Sequence, residues 1–189
     1  MINELDLDLD LLMGGDETQE LQELNAPEGE LFLKFRLLSG EELALSALAV
    51  AEVMSVAPEK ITPVPNVSPL LLGTLNFRGE ILWVADLGQF LGGGTPLVLD
   101  RAEISVITVS DQQDLLMGLA VDLIVGMEWL KTEDINPQIP LEETLTADEA
   151  ATDAMKPYLK GEWQFPSERA LLPLLDQVKI LRSERWIAS

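Results

Sequence analysis

A chain of 189 residues, 47% hydrophobic, without cysteine or histidine and with a formal charge of −21, suits one substantial domain or two closely packed lobes and is too short for two independent folds. Lacking Cys and His, it has no disulfides, no thiolate metal site and none of the commonest general base. The charge disfavours nucleic acid and anionic membranes, whose phosphates must be met by Lys and Arg, and favours a protein partner with basic patches.

Residues 1–30 hold ten acids (Glu4, Asp6, Asp8, Asp10, Asp16, Glu17, Glu20, Glu23, Glu28 and Glu30) and no base. Self-repulsion and a shortage of buriable surface predict a disordered acidic tail, whose Leu-Asp alternation also suits docking on a partner as a short strand. The acidic start differs from a secretory signal. No window reaches the roughly 20 uninterrupted apolar residues of a membrane helix, so a soluble, cytoplasmic protein with no direct membrane insertion is expected.

The folded part begins at LFLKFRLL, where Leu33, Phe35 and Leu37 alternate with Lys34 and Arg36, the period of a half-buried strand. ELALSALAV, LGTLNF, EILWVAD, EISVITV, LLMGLAVDLIVGM and RALLPLL continue as short aliphatic runs separated by Gly, Pro, Asn or Asp. No crossover helices of the kind a parallel α/β sheet needs lie between them, so the fold class is all-β with short helices. The acidic, proline-bounded stretch 131–157 reads as a surface insert, with capping-box spacing at Thr146 and Glu149. Residues 183–189 read as a C-terminal tail.

The chain also echoes itself. LALSALAV (Leu43 to Val50) aligns with LAVDLIVG (Leu119 to Gly126), and VADLGQFL (Val84 to Leu91) with LLDQVKIL (Leu174 to Leu181), in the same order in both halves. Two similar β lobes follow, expected near 31–98 and 99–182 and open to exchange of terminal strands. In each VADL/LLDQ segment an apolar strand ends at an aspartate placed to accept from the first free N–H groups of a short helix, which makes Asp86 and Asp176 caps. The alternative is a carboxylate-dependent, metal-assisted enzyme using Asp86 or Asp122.

Other chemistry finds little support. GQFLGGGT, Gly88 to Thr95, lacks the Lys-Ser/Thr ending of a phosphate-binding loop. Asp6, Asp8, Asp10 and Glu17 mimic a calcium-loop spacing, but Leu11 stands where the sharp turn needs glycine. No serine has a lysine placed beside it as base. The four tryptophans are dispersed, with Trp83 the expected core residue and Trp186 a surface or partner contact. No cofactor, metal or catalytic residue is expected.

LGTLNFRGEILWVADL poses a different question: Arg78 stands between two strands, at a corner where Asn76 and Gly79 suit a tight connection. A guanidinium beside a β surface gains most from a fixed carboxylate, and Glu52, alone in LAVAEVMSV, is the candidate. An exposed pair contributes only about 0–1 kcal/mol, so recognition explains it better than stability. The alternative is an ordinary turn arginine in water.

These residues resemble the CheW family of chemotaxis coupling proteins over about Leu31 to Leu181. VAEV, Val50 to Val53, fits its Val-x-Glu-Val/Ile pattern; PVP follows, and Gly73, Asn76, Arg78, Gly79, Asp86 and Leu87 fill Gly-x-x-Asn-x-Arg-Gly and the Asp-Leu strand end in order. The resemblance implies two packed five-stranded SH3-like β-barrels and no catalysis. It implies an adaptor between methyl-accepting chemoreceptor cytoplasmic tips and the regulatory domain of a CheA-type histidine kinase, recruited to membrane-associated arrays. Pilus-motility and phototaxis pathways use similar scaffolds. It further implies a partner-binding groove at Val50, Glu52, Asn76 and Arg78, with Gly73, Gly79, Asp86 and Leu87 as structural motif. Trp83, where the family commonly has proline, and the long acidic arm depart from the pattern.

Overall fold

The structure, a computed structural model, describes residues 28–111, 113, 115–137, 153–165 and 171–187. The expected acidic tail, apart from its last residues, and the Thr146–Glu149 capping box lie outside the described residues. Eleven strands are present among those described: β1 (Glu30–Arg36), β2 (Glu42–Ser46), β3 (Val50–Val56), β4 (Leu71–Phe77), β5 (Glu80–Asp86), β6 (Ile104–Ser110), β7 (Leu116–Val121), β8 (Leu123–Leu130), β9 (Ile135–Asn136), β10 (Leu159–Gln164) and β11 (Leu171–Leu175). One-turn helices α1 (Leu87–Phe90) and α2 (Gln177–Leu181) follow β5 and β11.

The all-β expectation holds, with one difference in strand count: one sheet has five strands, ordered β3-β6-β7-β5-β4, and the other six, ordered β8-β1-β2-β11-β10-β9. The sixth is β9, two residues long, too short to leave a periodic signal. Without it the two orders are the same topology, each with two antiparallel hairpins joined through one parallel pairing, β5 with β7 and β11 with β2. The internal echo therefore marks a structural repeat.

Both echoed runs break where the chain changes sheet. ELALSALAV, expected as one strand, stops at Ser46 and resumes at Val50 in the other sheet. LLMGLAVDLIVGM breaks at Asp122 and crosses back. Consequently the five-stranded sheet is built from 50–86 and 104–121, and the six-stranded sheet takes strands from both sides of it in sequence. The sheets do not follow the sequential division 31–98 and 99–182, because each half gives its first two strands, β1 and β2 or β6 and β7, to the sheet of the other, an exchange of terminal strands.

Burial explains why the central strands read as continuous apolar runs. Val106, Val84 and Ala120 point into a small core under the five-stranded sheet, and Phe32, Ala44, Leu130 and Leu174 into its counterpart under the other. The opposite faces, through Leu33, Phe35, Leu43, Ile107, Val109 and Leu119, meet in a core shared by both sheets. Each such fully buried side chain is worth about 1.5–3 kcal/mol, so the shared core locks the lobes together. Trp163 is the buried tryptophan. Trp83 is only half-buried, because its face of β5 lies at the margin of the shared core.

The segment expected as a C-terminal tail is tied to the fold as far as Trp186. Trp186 stacks on Phe90 with ring centroids 4.2 Å apart, and its Nε1 donates to the Ile180 carbonyl at 2.7 Å. Arg185 donates to the Phe90 carbonyl, and Ser68 Oγ donates to the Arg185 carbonyl at 3.0 Å.

Candidate functional site

The β4–β5 hairpin turns on two residues, Arg78 and Gly79, with φ of +53° and +89°. Positive φ at both central positions is the type I′ geometry that matches the twist of a hairpin. It is unusual for arginine, and Asn76 supports it by accepting from the Gly79 N–H through Oδ1 at 3.2 Å. The strained corner therefore aims the Arg78 side chain, and the sequence assigns that position to a long cation.

Arg78 Nη2 donates to Glu52 Oε2 on β3, joining the turn to the outer strand of its sheet. The guanidinium also lies 5.1 Å from the Phe77 ring centroid, an arrangement that restricts its rotamers through a cation–π attraction. The pair faces solvent, with side chains 72% and 38% exposed for Arg78 and Glu52. Asn76 is exposed, while Val50 is half-buried against the shared core. Thus two of the four expected groove residues make an ion pair, one shapes the turn and one anchors the edge strand.

Sequence reasoning passed over the apolar neighbours. Ile81, directly opposite Asn76 in the hairpin, is 78% exposed, and Val53 stands out beside Glu52. Alternation places Ile81 opposite Leu82 and Val84, on the face that Ala85 buries in the shared core, so its exposure reflects the end of that core rather than the strand period. The corner consequently combines an ordered charge pair with apolar surface, the mixture that protein interfaces place at their centre and rim.

The remaining motif residues build the support. Gly73, at φ +145°, sits where the strand register shifts, and a Cβ there would be driven into the Thr62 carbonyl. Asp86 is buried; its Oδ1 accepts from the Gln89 N–H at 3.0 Å and its Oδ2 from the Leu97 N–H at 2.7 Å. Leu87 is fully buried at the start of α1. Asp176 caps α2 in the same way, accepting from Val178 and Lys179 at 3.1 and 3.2 Å. With both Asp86 oxygens held by backbone and Asp122 paired with Arg101 at 3.0 Å, the two carboxylates proposed as a catalytic alternative are committed to structure. Among the described residues no cluster of three or more His, Cys, Asp or Glu is arranged to hold a metal.

A second charge pair was not foreseen. Asp111, in the β6–β7 turn, is buried and accepts from Arg182 Nε and Nη2 at 3.0 and 2.7 Å and from two backbone N–H groups. The bonds from Arg182 hold its carboxyl below the usual carboxylate range despite the opposing effect of burial. This clamp ties the turn of one sheet to the residue after α2.

Comparison with known proteins places this geometry. The CheW-like domain family matches residues 32–185. The chain belongs to that family. This CheW-like chain is 28% identical to the protein FrzA of Myxococcus xanthus over 159 residues, covering 84% of the chain and 89% of the relative. It is 26% identical to a chemotaxis protein CheW of Rhizobium meliloti over 153 residues, covering 79% and 87%. The crystal structure of the scaffolding protein TtCheW from Thermoanaerobacter tengcongensis has the same fold, with a TM-score of 0.60 at 22% identity over 78% of this chain and 89% of that one. No helix among the described residues is long and apolar enough to cross a membrane.

Proposed function

We propose that this CheW-like chain is a non-catalytic adaptor of chemotaxis or related motility signalling, coupling a chemoreceptor cytoplasmic tip to the regulatory domain of a CheA-type histidine kinase in membrane-associated arrays. The observation that carries the site assignment is the Glu52–Arg78 pair. An exposed pair is worth little to stability, yet this one is held by a rare positive-φ arginine, a supporting asparagine and an aromatic face. Order of that kind lowers the entropic cost of docking. In this reading Val50, Glu52, Asn76 and Arg78, with Val53 and Ile81, form the contact.

Titration calorimetry of the purified protein against a receptor signalling-tip fragment and a kinase regulatory domain tests the proposal. Arg78→Glu or Glu52→Lys should weaken one of the two contacts about tenfold or more, because each leaves two like charges facing one another at an interface. The charge-exchanged double variant Glu52→Arg/Arg78→Glu should recover part of the loss. Unchanged affinity of both single variants for both partners refutes the site, and absence of wild-type binding to either partner refutes the function.

A further inference from the structure

β8 is the outermost strand of the six-stranded sheet and pairs only with β1 among the described residues. Its surface is unlike that of β3, its counterpart in the repeat. Alternate residues of β3 leave Ala51, Val53 and Ser55 exposed, and Arg78 folds over from the neighbouring turn onto Glu52. On β8 the exposed residues are Leu123, Val125, Met127 and Trp129, at 46%, 39%, 52% and 46%. Solvent-facing sheet edges are normally blunted by charge or proline. The one charge on β8, Glu128, is drawn to Lys34 of β1.

The chain itself supplies a matching segment at the right place. Glu28 pairs with Lys131 at 3.6 Å, and Glu30 lies opposite Leu130, so the preceding 27 residues enter the fold at one end of this edge. In that stretch Leu5, Leu7, Leu9 and Leu11 alternate with Asp6, Asp8 and Asp10, the pattern of a strand with one apolar and one wet face. The eight residues 4–11 equal β8 in length. Residues 12–27 can span up to about 50 Å, roughly twice the ~26 Å length of β8, which permits either strand direction.

We propose that residues 4–11 add to the six-stranded sheet as a strand along β8, covering the exposed edge until a partner displaces them. Main-chain hydrogen bonds would supply the pairing and the leucines would cover apolar surface, as in other strand additions. Tethering raises the effective concentration to roughly millimolar, so a pairing too weak to detect between separate molecules suffices. The inference does not depend on which partner the Glu52–Arg78 corner recognises.

Hydrogen exchange on the full chain, compared with full-length Leu7→Asp/Leu9→Asp, reads this directly. The outward amides of β8 should exchange about tenfold or more faster in the variant, as expected when pairing that closes an edge is lost. Amides of β3 and the shared core serve as the folding reference and should not change. Protection of β8 in the wild type should persist in 1 M salt and be independent of protein concentration. Four results would overturn the proposal: equal β8 exchange in both proteins; protection lost in salt, which marks a purely electrostatic contact; protection that follows concentration, which marks edge pairing between two copies; or β8 amides in the wild type as fast as an unpaired edge.

Discussion

The two sheets repeat each other to the level of single residues and then differ where they meet solvent. A short 3-10 turn, Pro58–Lys60, brings Thr62 across β4 above Gly73; another, Thr132–Asp134, brings Asn136 across β10 above Gly161. Glu52 of β3 corresponds to Glu128 of β8, each two residues past the end of the echoed run. Yet Glu52 reaches outward to a two-residue turn, and Glu128 reaches inward to Lys34, with the pair 34% and 17% exposed. The connection between β10 and β11 spans six residues, 165–170, rather than two. The repeat thus constrains cores and crossings, where packing is dense. Loop length decides which edge acquires an ordered charged corner.

The largest effects should come from the bulge glycines. Gly73→Ala has both a backbone collision and a positive φ, and should lower unfolding free energy by about 3 kcal/mol. Gly161→Ala meets the Asn136 carbonyl at 2.8 Å but has no positive-φ penalty, and should cost about 1–2 kcal/mol. Urea denaturation of both variants measures the difference; equal losses would mean that the two crossings are mechanically alike.

The capping aspartates should follow. Asp86→Ala removes a cap and leaves the buried Leu97 N–H unpaired, a loss of about 2 kcal/mol, against about 1 kcal/mol for Asp176→Ala. Thermal unfolding of the two single variants ranks them, and a larger loss at Asp176 would reverse the assignment of the tighter junction.

Acid and base act on the halves in opposite senses. Glu162 in β10 is buried, its Oε1 has no hydrogen-bond partner among the described residues, and burial pushes its carboxyl above its ordinary 4.5. The folded state therefore keeps that proton to higher pH than the unfolded chain, and stability falls as pH rises from 4.5 through the folded value. Glu162→Gln should be more stable than wild type at neutral pH, with the gain vanishing below 4.5. Asp111 is lowered from 3.8, so its contribution is present above that value and lost as pH falls through the lower folded value. Asp111→Asn should be less stable at neutral pH, with the gap closing in acid. Denaturant midpoints measured from pH 3 to 8 would show profiles tilted in opposite directions, and parallel profiles would contradict both assignments.

Much of this architecture was legible in the sequence because its signals are local. EILWVAD predicted β5 to the residue, the aspartates that end two apolar strands predicted two caps, and the echo predicted a repeat. β10 was missed because LKGEWQ does not alternate: Gly161 interrupts it and Glu162 is buried. The sheet changes at Ala47–Ala49 and Asp122 were missed because an aliphatic run reads the same whether its two ends share a sheet or not. Of the candidate corner, Arg78, Glu52 and the tight turn were readable; the contribution of Ile81 was not, because exposure depends on where the shared core ends.

By itself the sequence determined an all-β chain with a repeat, an acidic first 30 residues and a two-residue hairpin turn bearing an arginine, because strand period, charge density and turn chemistry act over a few residues. Tertiary structure alone decided which strands exchange between sheets, that Trp163 rather than Trp83 is buried, that Asp111 clamps Arg182, and that Arg78 meets Glu52 at a sequence separation of 26. Those outcomes depend on long-range packing into one shared core, which brings together residues that carry no mark of each other along the chain.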